Sequence, residues 1–119
     1  MKKLLTILAL ALGVSVNAQT GNTSTGTDAL VNNVDANYNS AFGEGALYSN
    51  TTGDHNSAFG EGALYFNTNC CNTAMGRRAL YNNTTGYHNT AVGTSSLYSN
   101  TEGYWNTALG NSSLPYNTT

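Results

Sequence analysis

One unit of about 17 residues recurs six times along this chain, and the copies run almost to its last residue. Asn recurs at Asn22, Asn39, Asn56, Asn72, Asn89 and Asn106. Four residues after each comes Gly26, Gly43, Gly60, Gly76, Gly93 or Gly110. Leu30, Leu47, Leu64, Leu80, Leu97 and Leu114 form a third column, and Asn33, Asn50, Asn67, Asn83, Asn100 and Asn117 a fourth. The clearest copy reads Asn56-Ser57-Ala58-Phe59-Gly60-Glu61-Gly62-Ala63-Leu64-Tyr65. A short fixed period means stacked units, each burying against its neighbour what it cannot bury alone. It also argues against an enzyme, because a catalytic centre needs unlike side chains brought together.

Residues 1–18 fall outside the repeat. Lys2 and Lys3 precede a short apolar stretch from Leu4 to Val16, and Val16-Asn17-Ala18 offers a small-residue cleavage site before Gln19. This is the pattern of a secretory signal peptide, too short to span a bilayer as a helix. The expectation is therefore a secreted or cell-surface protein whose residues 19–119 form one six-repeat solenoid domain. No membrane association is expected after cleavage. Without the two lysines, Arg77 and Arg78 stand against six acidic residues, a net charge near −4. That excludes a nucleic-acid footprint.

Within each copy, Asn-Thr/Ser-Ala-x-Gly alternates small and large residues. Phe42, Phe59, Met75, Val92 and Leu109 form one column, beside a column of Ser24, Ala41, Ala58, Ala74, Ala91 and Ala108. Period-two alternation predicts a short strand. Stacked copies predict a parallel ladder, and an all-β solenoid of about six coils. The glycine column suits a turn with positive φ or close backbone approach. The second arm is less regular. Ala46, Leu47 and Asn50 sit at i, i+1 and i+4, a spacing that suits a short helical turn, while Tyr48, Tyr65, Tyr81 and Tyr98 favour a strand. Both forms stay open here. The Asn columns read as structural ladders, each amide donating and accepting along the axis.

Asn-Thr-Ala-x-Gly-x-x-Ala-Leu-Tyr-x-Asn-Thr-Thr-Gly, over residues 22–119, resembles repeats of secreted bacterial tail-fibre-like proteins. It is similar, more loosely, to the head repeats of trimeric autotransporter adhesins. The resemblance implies a β-roll or β-solenoid carried on a fibre, often a trimeric one. This sequence has no stalk, coiled coil or C-terminal chaperone domain to match either pattern.

The residue arithmetic adds a second expectation. Asn117-Thr118-Thr119 followed by Gln19-Thr20-Gly21-Asn22 reproduces the spacing of Asn50-Thr51-Thr52-Gly53-Asp54-His55-Asn56. Two copies placed end to end would keep the repeat in register. The expected function is a structural subunit of an extracellular fibre that assembles with itself, head to tail. The rivals are an adhesin-type, glycan-binding or ice-binding solenoid, or a fragment of a longer fibre.

No cofactor, metal or catalytic site is expected. His55 and His88 share a column with Tyr38, Cys71 and Trp105, with no ligand partner recurring beside them. Cys70 and Cys71 lie in the one shortened copy. Secretion favours disulfides, and Cα atoms about 3.8 Å apart lie below the usual disulfide range, so pairing between chains is expected, with a pair of free or locally strained thiols in the turn as the alternative. Tyr38, Tyr87, Tyr104 and Trp105 suit lateral contacts or glycans, and the Asn-x-Ser/Thr sequons follow from composition alone.

Overall fold

The computed structural model describes residues 20–119. The signal-peptide reading of residues 1–18, and Gln19, lie outside them. Each copy begins with a three-residue strand: β1 Thr23–Thr25, β2 Ser40–Phe42, β3 Ser57–Phe59, β4 Thr73–Met75, β5 Thr90–Val92 and β6 Thr107–Leu109. The central residue of each strand turns inward and its neighbours turn outward, as alternation requires. Ala41, Ala58, Ala74 and Ala91 are fully buried. The six strands form one parallel sheet in chain order, each column residue paired with its copy in the next coil, as in Ala58 with Ala74. The result is an all-β parallel solenoid. Its six strands span about five complete turns rather than six closed coils.

No helix occurs among the described residues, which settles the second arm. Two tight turns follow each strand. In the second coil the Ala46 N–H donates to Gly43 C=O at 3.2 Å, and the Asn50 N–H to Leu47 C=O at 3.2 Å. Between these turns Leu47 takes a left-handed conformation, φ 53°, and its counterparts Leu30, Leu64, Leu80, Leu97 and Leu114 do the same. A reversal at Leu lets Ala46 and Leu47 both point inward although they are adjacent. The puzzling i, i+1, i+4 pattern is the trace of that reversal.

The core is narrow and made almost wholly of Ala and Leu columns. All arms, not only the strands, bond along the axis. Leu47 N–H donates to Ala63 C=O at 3.0 Å, and Thr84 N–H to Thr101 C=O at 2.9 Å. Each coil is therefore a template for the next.

The Gly26, Gly43, Gly60, Gly76 and Gly93 column enforces this closeness. At Gly76, φ is 138° and an added Cβ would lie 2.6 Å from the Gly93 carbonyl. Both the forbidden conformation and the clash with backbone count against any side chain. Gly76→Ala is expected to cost roughly 3–5 kcal/mol, read from the denaturant midpoint. A loss below about 1 kcal/mol would show that neighbouring coils can separate cheaply.

Candidate functional site: side-chain ladders and the open coil edge

Two asparagine columns converge on one carbonyl in each of the first five coils. Asn39 and Asn50 both donate Nδ2 to Gly53 C=O, at 2.9 and 2.8 Å. Asn56 and Asn67 do the same to Asn69 C=O, Asn72 and Asn83 to Gly86 C=O, and Asn89 and Asn100 to Gly103 C=O. Asn22 and Asn33 share Ala36 C=O in the first coil. The first column also accepts. Asn39 Oδ1 takes the Asn56 N–H at 2.8 Å, and Asn72 Oδ1 takes the Asn89 N–H at 3.0 Å. The second column links to itself, with Asn83 Nδ2 on Asn67 Oδ1 at 2.8 Å and Asn100 Nδ2 on Asn83 Oδ1 at 2.7 Å. Most of these amides are fully buried. They supply the hydrogen bonds a turn backbone would otherwise take from water. Buried and bonded, Asn50 and Asn83 present no amide for glycan attachment.

The ladders change at the last coil. Asn106 Nδ2 is buried and has no partner, where each counterpart finds the carbonyl fourteen residues, or thirteen in the shortened copy, further on. A Cβ at Gly110 would meet nothing within 4 Å, whereas its five counterparts face the next glycine carbonyl. Leu114 is 49% exposed, unlike the buried Leu30 to Leu97, because no further coil covers it. Of the proposed junction residues, Asn117 donates to Asn100 Oδ1 at 3.0 Å, and Thr118 C=O accepts from Thr101 N–H at 3.2 Å. Thr119 C=O accepts weakly from Asn117 Nδ2, at 3.4 Å. At the other end Thr20 C=O accepts the Tyr38 N–H at 3.0 Å, and Gly21 sits beneath the Tyr38 ring.

The cysteines are a correction. Cys70 and Cys71 form a disulfide with each other, Cα atoms 3.7 Å apart, and no cysteine among the described residues is free. Pairing between chains was expected because so short a Cα separation lies below the usual disulfide range. Cys71 instead takes φ 67°, like every residue of its column, and the turn brings both sulfurs to one side. Asn69 completes the shortened turn, its Oδ1 accepting the Cys70 N–H at 2.8 Å.

Half-buried and exposed columns stack their rings. Tyr48, Tyr65, Tyr81 and Tyr98 form one run with centroids 4.7, 5.1 and 5.5 Å apart. Tyr38 stacks on His55, Tyr87 on Tyr104, and His88 lies against Trp105. Each ring face inside a run is covered by the next ring, so sugars cannot lie flat on it. Burial first, then Tyr48, Tyr81 and Asp28, raise the Tyr65 phenol above the ordinary tyrosine range. Glu61 pairs with Arg77 at 2.6 Å and Arg78 at 3.4 Å. Desolvation pushes its carboxyl up, but the hydrogen bond and charge of Arg77, with Arg78, outweigh this and hold it below the usual range.

Among the described residues no group of three His, Cys, Asp or Glu is placed to hold a metal ion, and no helix is long and apolar enough to cross a membrane. Comparison with protein families, curated proteins and solved structures found no match to this chain.

Proposed function

We propose that this chain is a structural, non-catalytic subunit of an extracellular filament, built by stacking the first coil of one copy on the last coil of another. The observation that carries the reading is the open edge at Asn106 and Gly110. Every interior coil meets its successor through the same contacts, and the last coil holds the same groups ready. In register, the next copy's Asn22 N–H reaches Asn106 Oδ1, as Asn106 N–H reaches Asn89 Oδ1 at 3.0 Å. The Thr107 N–H reaches the next Asn22 C=O, as Thr90 N–H reaches Asn106 C=O at 2.8 Å. Unpaired coil edges favour such continuation, and natural solenoids cover them when it is unwanted. The signal-like residues 1–18 and the likeness to tail-fibre and adhesin-head repeats support an extracellular setting.

Gly110→Ala tests this directly. The single chain loses only conformational freedom at φ 119°, roughly 1–2 kcal/mol, because nothing lies near the added methyl. The methyl would occupy the place of the next copy's Gly26 carbonyl, so filaments should not form. Electron microscopy should show wild-type filaments with a ~4.8 Å repeat and a subunit rise of about 29 Å. Two residues added after Thr119 should likewise block assembly and spare folding. Wild-type protein that stays unassembled at high concentration, or filaments indifferent to both changes, would rule the reading out.

A further inference from the structure

The face beside the tyrosine ladder carries a charge gradient along the solenoid axis. Asp28, Glu44 and Glu61 stand on the first three coils and Arg77 and Arg78 on the fourth, with Ser95 and Ser112 in the Arg78 column beyond. A cavity of about 110 Å³ on this face is lined by Asp28, Glu44, Tyr48, Glu61 and Tyr65. A second, of about 370 Å³, is lined by Arg77, Arg78, Tyr98, Pro115 and Tyr116. The first three coils of the face are acidic, the fourth is basic and the last two are uncharged, and a half-buried aromatic wall runs beside them. Gly45 and Gly62 keep the wall smooth, since a Cβ there would meet the Tyr65 and Tyr81 rings at 3.0 and 3.1 Å.

We propose that this face binds the same face of a second copy running antiparallel, about a two-fold axis at the coil of Glu61 and Tyr65. A two-fold contact sets residue i against j and j against i. Glu44 lies one coil before Glu61 and Arg77 one coil after it. Antiparallel pairing therefore sets Glu44 against the partner's Arg77, twice over. Tyr48 meets the partner's Tyr81 by the same rule, through ring edges, because the faces are already stacked along the axis. Parallel pairing would instead oppose Glu44 to Glu44 and Arg77 to Arg77, which repel. At the axis Glu61 faces the partner's Glu61, each already paired with its own Arg77 and Arg78, so the antiparallel arrangement keeps two attractive contacts where the parallel one keeps none. The patch is one arm wide and about 29 Å long, of order 400 Å² per copy, so a single pair is weak. Along a filament the contacts would multiply.

Charge reversal with mixing provides the test. Wild-type protein should form side-by-side pairs, seen as dimers in sedimentation or as doubled filament width, and salt near 0.5 M should weaken them. Glu44→Arg alone and Arg77→Glu alone each oppose like charges, so each variant should stay apart. An equimolar mixture of the two variants restores both attractive contacts and should associate again. A merely intrachain role for Arg77 through Glu61 predicts no such rescue. Variants that pair as wild type does, or a mixture that stays apart, would overturn the proposal. Filaments of single width would overturn pairing and leave end-to-end stacking standing. Dimers without filaments would do the reverse.

Discussion

Replacing Asn72 by Leu is expected to cost roughly 3–5 kcal/mol, although Leu has nearly the same size and the site is fully buried. Burial of an apolar side chain would ordinarily favour the change. Here the side chain serves several partners. Its Oδ1 accepts the Asn89 N–H at 3.0 Å, and its Nδ2 reaches Gly86 C=O at 2.9 Å, Cys70 C=O at 3.0 Å and Asn67 Oδ1 at 3.1 Å. Gly86 C=O and Asn67 Oδ1 keep Asn83 as a second donor. The Asn89 N–H loses its acceptor outright in a place water does not reach, and that orphan dominates the loss. Chemical denaturation of the two proteins measures the difference. Asn72→Asp probes the two halves separately, because its carboxylate keeps the acceptor and loses both donors, while its neutral acid keeps the acceptor and one O–H donor. A carboxylate buried there is favoured in its neutral form, so its folded pKa lies above the unfolded value. Its stability should be present at low pH and lost as pH rises through the folded pKa. Asn72→Leu should show no such dependence. A Leu variant as stable as wild type would mean that the ladders fill space rather than satisfy backbone.

The period was legible because column residues recur whatever their job, and the strand was legible because a small residue, Ser24 in the first copy and Ala in the other five, sits between two outward residues. The second arm was not. Leu is among the last residues expected at positive φ, where its Cβ crowds the following carbonyl. Only the stacked coils, which bury Leu64 completely and hold the Leu64 N–H on Ala79 C=O at 3.0 Å, make that conformation acceptable. The cysteine pairing failed for a related reason. The short Cα separation of adjacent residues was taken to prevent the bond, yet Cys71 occupies a left-handed column whose other members, Tyr38, His55, His88 and Trp105, give no sign of it. The asparagine columns could be located by position alone, but their convergence on one carbonyl depends on the turn between Asn50 and Gly53 folding back under Asn39. The charge gradient was present in the letters as Glu44, Glu61 and Arg77 in one repeat column. It became a surface only once the coils placed those residues in line.

Leu64→Asp should leave the protein unfolded or barely folded. The leucine is fully buried in the fold, within the cluster of Ala and Leu columns. An unpaired buried charge costs several kcal/mol even after it neutralises itself by taking a proton, and the lost apolar burial adds to that. Small domains have only about 5–15 kcal/mol in total. Truncation provides the finer measurement. Leu64→Ala should cost roughly 2–5 kcal/mol through lost contacts and an unfilled cavity. Leu64→Gly would normally be worse by up to about 1 kcal/mol, because glycine loses more freedom on folding. At φ 54° the balance shifts, since alanine keeps a left-handed penalty of about 1–2 kcal/mol that glycine lacks. The glycine variant should therefore match the alanine variant or exceed it in stability, an inversion read from their thermal midpoints under identical conditions. A glycine variant clearly weaker than alanine would mean that Leu64 carries no conformational penalty, and that the turn, rather than burial, selects its backbone.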